Sequence, residues 1–285
     1  MNKAEKTIFV NELKLIIFML LISAIILFFG YIITEMFSLG LDGIIITGII
    51  AAGANFVSYF FSKSIVLKSQ HAIPMNKQDF PDYYEMVKDM CDRNGIIMPE
   101  LYYINNPSLN AFATGRSQKD AAVVITSGML KRVPQDEIKG VIGHELSHIV
   151  HKDILITSFI GTMVGFITIM ASFLRNASIR NSSRRNSNSS GSSILLLTGL
   201  AASILAPIIG LLIRMAVSRS REYMADATGG KICGNPQLLA KALYRISHNG
   251  SEIPTANEAV APLYISNPLK NNIFANLFST HPDIN

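Results

Sequence analysis

His144, Glu145 and His148 stand together as His-Glu-Leu-Ser-His within "VIGHELSHIVHKD". Two imidazoles four positions apart on a helix share a face and can converge on one zinc ion at about 2.0–2.1 Å each. Zinc lowers the pKa of a bound water to about 7, and a carboxylate beside that face, Glu145, can take its proton as general base. An open site of this kind takes a third protein ligand from elsewhere in the chain. His151 shares the face with His144, but positions seven apart on a helix are separated by about 10.5 Å along the axis. It would converge poorly on an ion already held by His148, and is expected at the level of lipid headgroups. "SREYMAD" offers a better donor in Glu222, and Asp226, four residues on, can orient a ligating histidine from behind.

The elements that must position these groups are unusual, because the motif abuts apolar chain. Of 285 residues, 49% are hydrophobic and only 16% charged, a balance that favours a membrane protein. Four runs are long enough to span: Leu15–Phe37, Gly43–Ser62, Ile154–Leu174 and Ile194–Val217. The first is too long for a cleaved leader and lacks a small-residue cleavage site. Lys3, Lys6 and Lys14 precede the first hairpin and Lys63, Lys68 and Lys77 follow it, which puts both its ends in the cytoplasm. Arg175, Arg180, Arg184 and Arg185 lie in the loop of the second hairpin, against that rule, so a full crossing there stays open. Either way the second hairpin begins and ends at one face. His148 and Glu222, 74 positions apart in sequence, are thereby brought side by side. Gly161/Gly165 and Gly199/Ser203 form small-xxx-small pairs suited to close packing of the third and fourth helices.

Four segments follow: a transmembrane hairpin over 1–62, a first catalytic part over 63–153, a second membrane hairpin over 154–217 with a mobile loop at 175–193, and a second catalytic part over 218–285. Helices are expected at Phe80–Asn94, from Gln135, at Pro236–Asn249 and at Asn271–Phe278. "ELYYIN", "NAFAT" and "AAVVIT" read as short strands. The expected class is α+β: a four-helix membrane anchor of two hairpins carrying a mainly helical, zincin-like cytoplasmic domain with a small sheet. Cys91 and Cys233 form no CxxC and imply no disulfide framework. The net charge of +5 is not gathered into a stripe, so nucleic acid is not an expected partner.

"VIGHELSHIVHKD", "SREYMAD", "NAFATG" and "LFSTHP" occur in the order and spacing of the HtpX family, which this chain resembles over nearly its whole length. These are membrane-integrated zinc endopeptidases related to the CAAX prenyl proteases. The resemblance implies one zinc ion per subunit bound by His144, His148 and Glu222, with Glu145 catalytic. It implies polypeptide substrates, namely misfolded membrane proteins cleaved on the cytoplasmic side of the bacterial inner membrane, and the lipid bilayer as surroundings. It further implies that Asn110, Ala111, Phe112 and Ala113 form an edge strand to which an extended substrate adds. His281 resembles a family histidine near the metal, a candidate oxyanion donor.

Three other readings compete. A site-2-type intramembrane protease pairs HExxH with an aspartate in "LDG", and Leu41-Asp42-Gly43 is present, but it precedes the motif. A non-catalytic zinc-binding scaffold would close its fourth coordination position with protein, leaving Glu145 without a purpose. A transporter would want an ionisable group near the middle of a span, and none is there.

Overall fold

The structure is a computed structural model that describes residues 3–36, 39–182 and 219–249, and 253, 254, 256, 260–266 and 268 near the C-terminus. The fourth apolar run, the helix expected at Asn271–Phe278, and His281 lie outside the described residues.

Two helices of the N-terminal hairpin are long and apolar enough to cross a membrane, α1 (Lys3–Met36) and α2 (Gly40–Ser69). Ile16, Leu20, Phe28, Ile45, Ile49 and Phe56 stay exposed on their outer faces, as lipid-facing side chains must. The helix α2 does not end at Ser62. It runs to Ser69, so that Val66 and Leu67 pack onto the sheet beyond it. At the point where the hairpin was expected to end, Lys63 instead pairs with Glu100 and Asp120, at 3.0 and 2.6 Å.

The sheet has the order β1-β2-β4-β3: β1 (Ile73–Pro74), β2 (Glu100–Ile104), β4 (Asp120–Thr126) and β3 (Ala111–Ser117). The short β1 was not foreseen, since two residues with a proline carry no strand signal. The central strand, β4, pairs parallel with β2 and antiparallel with β3. Its near-continuous apolar run suits burial on both faces. Ala121, Val123 and Ile125 enter the cluster shared with the helices, while Ala122 and Val124 face α2 and Tyr264. The helix α3 (Pro81–Asn94) lies on the first face through Tyr83, Met86, Val87, Met90 and Cys91. It starts with Pro81 in its first turn and stops at left-handed Gly95, φ 63°.

After α4 (Ser127–Arg132), α5 (Gln135–Val150) carries the His-Glu motif and is buried almost throughout. It breaks at His151 and Lys152 and resumes as α6 (Asp153–Ser182) with an 85° bend. Among the described residues, only these two helices joined could count as a third span. The start of α6 packs Leu155, Ile156, Phe159, Ile160 and Met163 against α1 and α2. It continues to Ser182, into the stretch expected to be loop, which holds no glycine or proline before that point. Gly161 and Gly165 line a groove shared with Gly53 and Ala54 of α2, so within the described residues the third helix meets the second. The helices α7 (Arg219–Cys233) and α8 (Pro236–Asn249) then close over α5. The molecule is thus mostly helical with a small mixed sheet.

Candidate metal centre

Packing of α5 against α7 decides the site. Glycine meets glycine at their crossing: a Cβ on Gly229 would lie 2.7 Å from the His144 nitrogen and 2.8 Å from its Cα, and one on Gly143 would lie 2.6 Å from the Gly229 oxygen. Only backbone fits on either side, so the helices approach closely enough for Glu222 to reach the two histidines.

The His144 and His148 Nε2 atoms face each other at 3.1 Å. Glu222 Oε2 stands 3.6 Å from the first and 3.8 Å from the second. Donors about 2.0–2.1 Å from a tetrahedral zinc sit about 3.3–3.4 Å apart, and the three observed separations bracket that spacing. Among the described residues this is the one group of three or more such side chains close enough to hold a metal ion.

The back of each imidazole is held as well. Asp226 Oδ1 lies 3.0 Å from His144 Nδ1, and Asp153 Oδ2 lies 3.2 Å from His148 Nδ1. With the Nδ1 protons donated to these carboxylates, the two Nε2 lone pairs point at one another, an arrangement that calls for a cation between them. Burial opposes charge on His144, yet Asp226 and Glu222 outweigh it and lift its pKa to about 10. For His148 burial is again outweighed, mainly by Asp153. The carboxylates therefore favour positive charge where the Nε2 atoms meet. The residues fit a zinc ion.

Glu145 is 2% exposed, and burial raises its carboxyl pKa despite the neighbouring imidazoles. The Ala113 amide of β3 donates to that carboxylate. A small cleft runs in front of the site, with Ala113 on one side and Pro262–Ile265 on the other.

The structure therefore brings His144, Glu145, His148, Glu222 and Asp226 together. It places β3 at the sheet edge, but part of that edge is already engaged. Ile265 donates its amide to Ala111 O at 3.0 Å, and Asn110 exchanges side-chain bonds with the Ser266 backbone at 2.8 and 3.2 Å. Phe112 is turned away from the cleft and stacks edge-on with Tyr264. His151 is 6% exposed and tucked into the α5–α6 bend beside Ser147, away from the metal group. Asp42 of the "LDG" rival sits in the first turn of α2, about 40 Å along that helix from the end that meets the sheet.

Sequence reasoning missed Asp153, which faces His148 from across the bend, and Arg221, 6% exposed at the cleft. It also missed the glycine crossing. The signal was there: each glycine inside a helix costs about 1 kcal/mol relative to alanine, and needs a packing reason.

Comparison with known proteins bears on the chemistry. Residues 77–285 match peptidase family M48. The chain is 43% identical over 247 residues to a protease HtpX homolog of Paraburkholderia phytofirmans, a match covering 85% of this chain and 84% of that one. It is 40% identical over 247 residues to a protease HtpX homolog of Ralstonia pickettii, with the same coverage. Among solved structures it is similar to Ste24p of S. mikatae, with 18% identity and a TM-score of 0.48; that match takes in the whole of this chain, which spans 65% of the Ste24p length.

Proposed function

The chain belongs to peptidase family M48 and is a membrane-associated metalloprotease, and on that premise we propose that it cleaves misfolded or damaged membrane proteins at the cytoplasmic face of the bacterial inner membrane, using one zinc ion per subunit. The zinc ligands are His144, His148 and Glu222. The observation that carries this reading is the near-tetrahedral spacing of their three donor atoms beside a buried Glu145.

Held by His144, His148 and Glu222, zinc would supply Lewis-acid polarisation of the scissile carbonyl and acidify a water. The chain does the rest. Asp226 and Asp153 hold the imidazoles with Nε2 forward. Glu145, aimed by the Ala113 amide, takes the proton of the attacking water and passes it to the leaving amine nitrogen. The substrate backbone lies along the β3 edge at Ala113, between that strand and the Pro262–Ile265 wall, while Asn110 and Ala111 fasten the wall and Phe112 supports it from beneath. Because the contact is to backbone, side-chain selectivity is weak. His281 is assigned to the oxyanion by family resemblance. Residues 63–153 and 218–285 make up the catalytic unit, with the two apolar hairpins as its membrane anchor.

Purified protein loaded with zinc in detergent should cleave unfolded casein, and Glu145→Ala should reduce cleavage by about 10²–10⁴-fold while keeping its metal. Wild-type protein that binds zinc yet cleaves no better than Glu145→Ala would leave only a zinc-binding scaffold.

A further inference from the structure

The bend between α5 and α6 is the weak point of the metal centre, because it alone carries Asp153 round to His148. Lys152, at the apex, adopts a left-handed conformation with φ 58°, a conformation uncommon for a residue with a side chain. Such a conformation persists only where its surroundings hold it. Here the end of α5 supplies part of the holding, through the Lys152 amide donating to Ile149 O at 3.2 Å, and side chains of α1, the first membrane helix, supply more. Asn11 of α1 is 4% exposed and donates its side-chain amide to Asp153 Oδ1 at 2.9 Å. The same amide nitrogen lies 3.4 Å from the carbonyl oxygen of His151. One residue on, Glu12 accepts a 3.0 Å bond from the Lys152 ammonium. Asp153 itself is 2% exposed. Its two oxygens divide the work: Oδ2 faces the His148 ring, and Oδ1 faces Asn11, with Arg221 Nη1 farther off at 3.9 Å.

We propose that Asn11 is a positioning residue for the proteolytic reaction: by fixing Asp153 and the α5–α6 bend, it makes the first membrane helix part of the metal centre as well as an anchor. The inference rests on the zinc site proposed above. A polar amide at the end of an apolar span, buried against a carboxylate 142 positions away, has no role in anchoring. Membrane insertion would be served as well by leucine. What leucine cannot do is hold the Asp153 carboxylate in the plane that meets His148 Nδ1. Residues supporting a metal ligand from behind typically alter metal affinity or activity about 10–100-fold when changed. Asn11 acts one step further back, through Asp153, and belongs at the lower end of that range.

The test uses the full-length protein in detergent. Zinc affinity is measured by competition with a chromophoric chelator, beside kcat and KM on casein and the melting temperature of the metal-free protein. For Asn11→Leu the expected result is about tenfold weaker zinc binding, with lower kcat at subsaturating zinc, KM unchanged and melting temperature kept. Asn11→Gln, which retains the amide, should recover most of the loss. A merely structural role would lower the melting temperature and would not discriminate leucine from glutamine in zinc affinity. Wild-type zinc affinity and kcat in Asn11→Leu would overturn the proposal. Should Asn11→Leu fail to insert, Asn11→Ser, polar but too short to reach Asp153, decides between the same two outcomes. Wild-type protein that bound no zinc would refute the metal-centre reading itself, and so is distinguishable.

Discussion

Replacing Gly229 by alanine tests whether the α5–α7 crossing sets the metal geometry. The added Cβ would stand 2.7 Å from the His144 nitrogen, 2.8 Å from its Cα and 2.9 Å from the Gly143 carbonyl carbon, where ordinary contact begins at 3.4 Å. The shortfall is about 0.7 Å. All three neighbours are backbone of one buried helix, so none can rotate aside, and α7 must move as a body. Glu222 rides on α7 and would be carried with it, whereas zinc ligand distances tolerate only about ±0.2 Å. Overpacking of this kind costs about 1–3 kcal/mol, while the helix propensity gained over glycine, up to about 1 kcal/mol, acts on folding with or without metal. If the strain is drawn from metal binding, affinity falls about 5- to 150-fold, at 1.36 kcal/mol per decade.

Gly230→Ala is the matched control. Its Cβ would meet mainly the Pro236 ring, at 3.1 and 3.2 Å, and that contact lies away from α5. Zinc affinity by chelator competition, metal stoichiometry and casein cleavage are compared for both variants. Gly229→Ala should lose affinity and activity together, while Gly230→Ala stays within about twofold of wild type on both. Equal, wild-type zinc affinity in the two variants would refute the reasoning, because the close approach would then not be what delivers Glu222.

Three further outcomes are expected. Asp226→Ala should weaken zinc binding about 10–100-fold by freeing the His144 ring, with little change in melting temperature because Asp226 is partly exposed; undiminished affinity would remove Asp226 from the site. Asn110→Ala, which unfastens the segment at Ser266, should raise KM for an extended peptide and leave kcat nearly unchanged, and a fall in KM would mean that the segment blocks substrate instead of walling it. Glu137 is held below the ordinary carboxylate value of 4.5 by its paired bonds to Arg245, 2.8 and 2.9 Å, which tie α5 to α8. A carboxylate depressed in the folded state stabilises fully above its unfolded value, and that stability is lost as pH falls through the folded one. Glu137→Gln should therefore melt lower near neutral pH and converge on wild type as the pH falls below the ordinary carboxylate value; parallel melting curves over that range would contradict the assignment.

Local pattern made much of this protein legible before any coordinates. Helical spacing paired His144 with His148 and Glu222 with Asp226, and apolar runs bounded by turn residues marked the segments that form β2, β3 and β4. The family resemblance followed from motifs that are each only a few residues long. Less could be read where a residue's role depends on what arrives from afar. Asp153 follows His148 by five positions, a spacing that on a straight helix would point it elsewhere, and only the 85° bend brings it behind the ring. The seven extra residues of α2 look like the start of a soluble segment until the sheet is there to receive Val66 and Leu67.

By itself the sequence determined which side chains could bind a cation and activate water, because ligand type and helical period are local properties. Tertiary structure alone decided how near α7 comes to α5, which part of the β3 edge is already bonded, and that a membrane helix reaches Asp153 through Asn11. Those facts depend on close packing between segments 70 or more positions apart at the groups that meet, and no short window along a chain contains both partners.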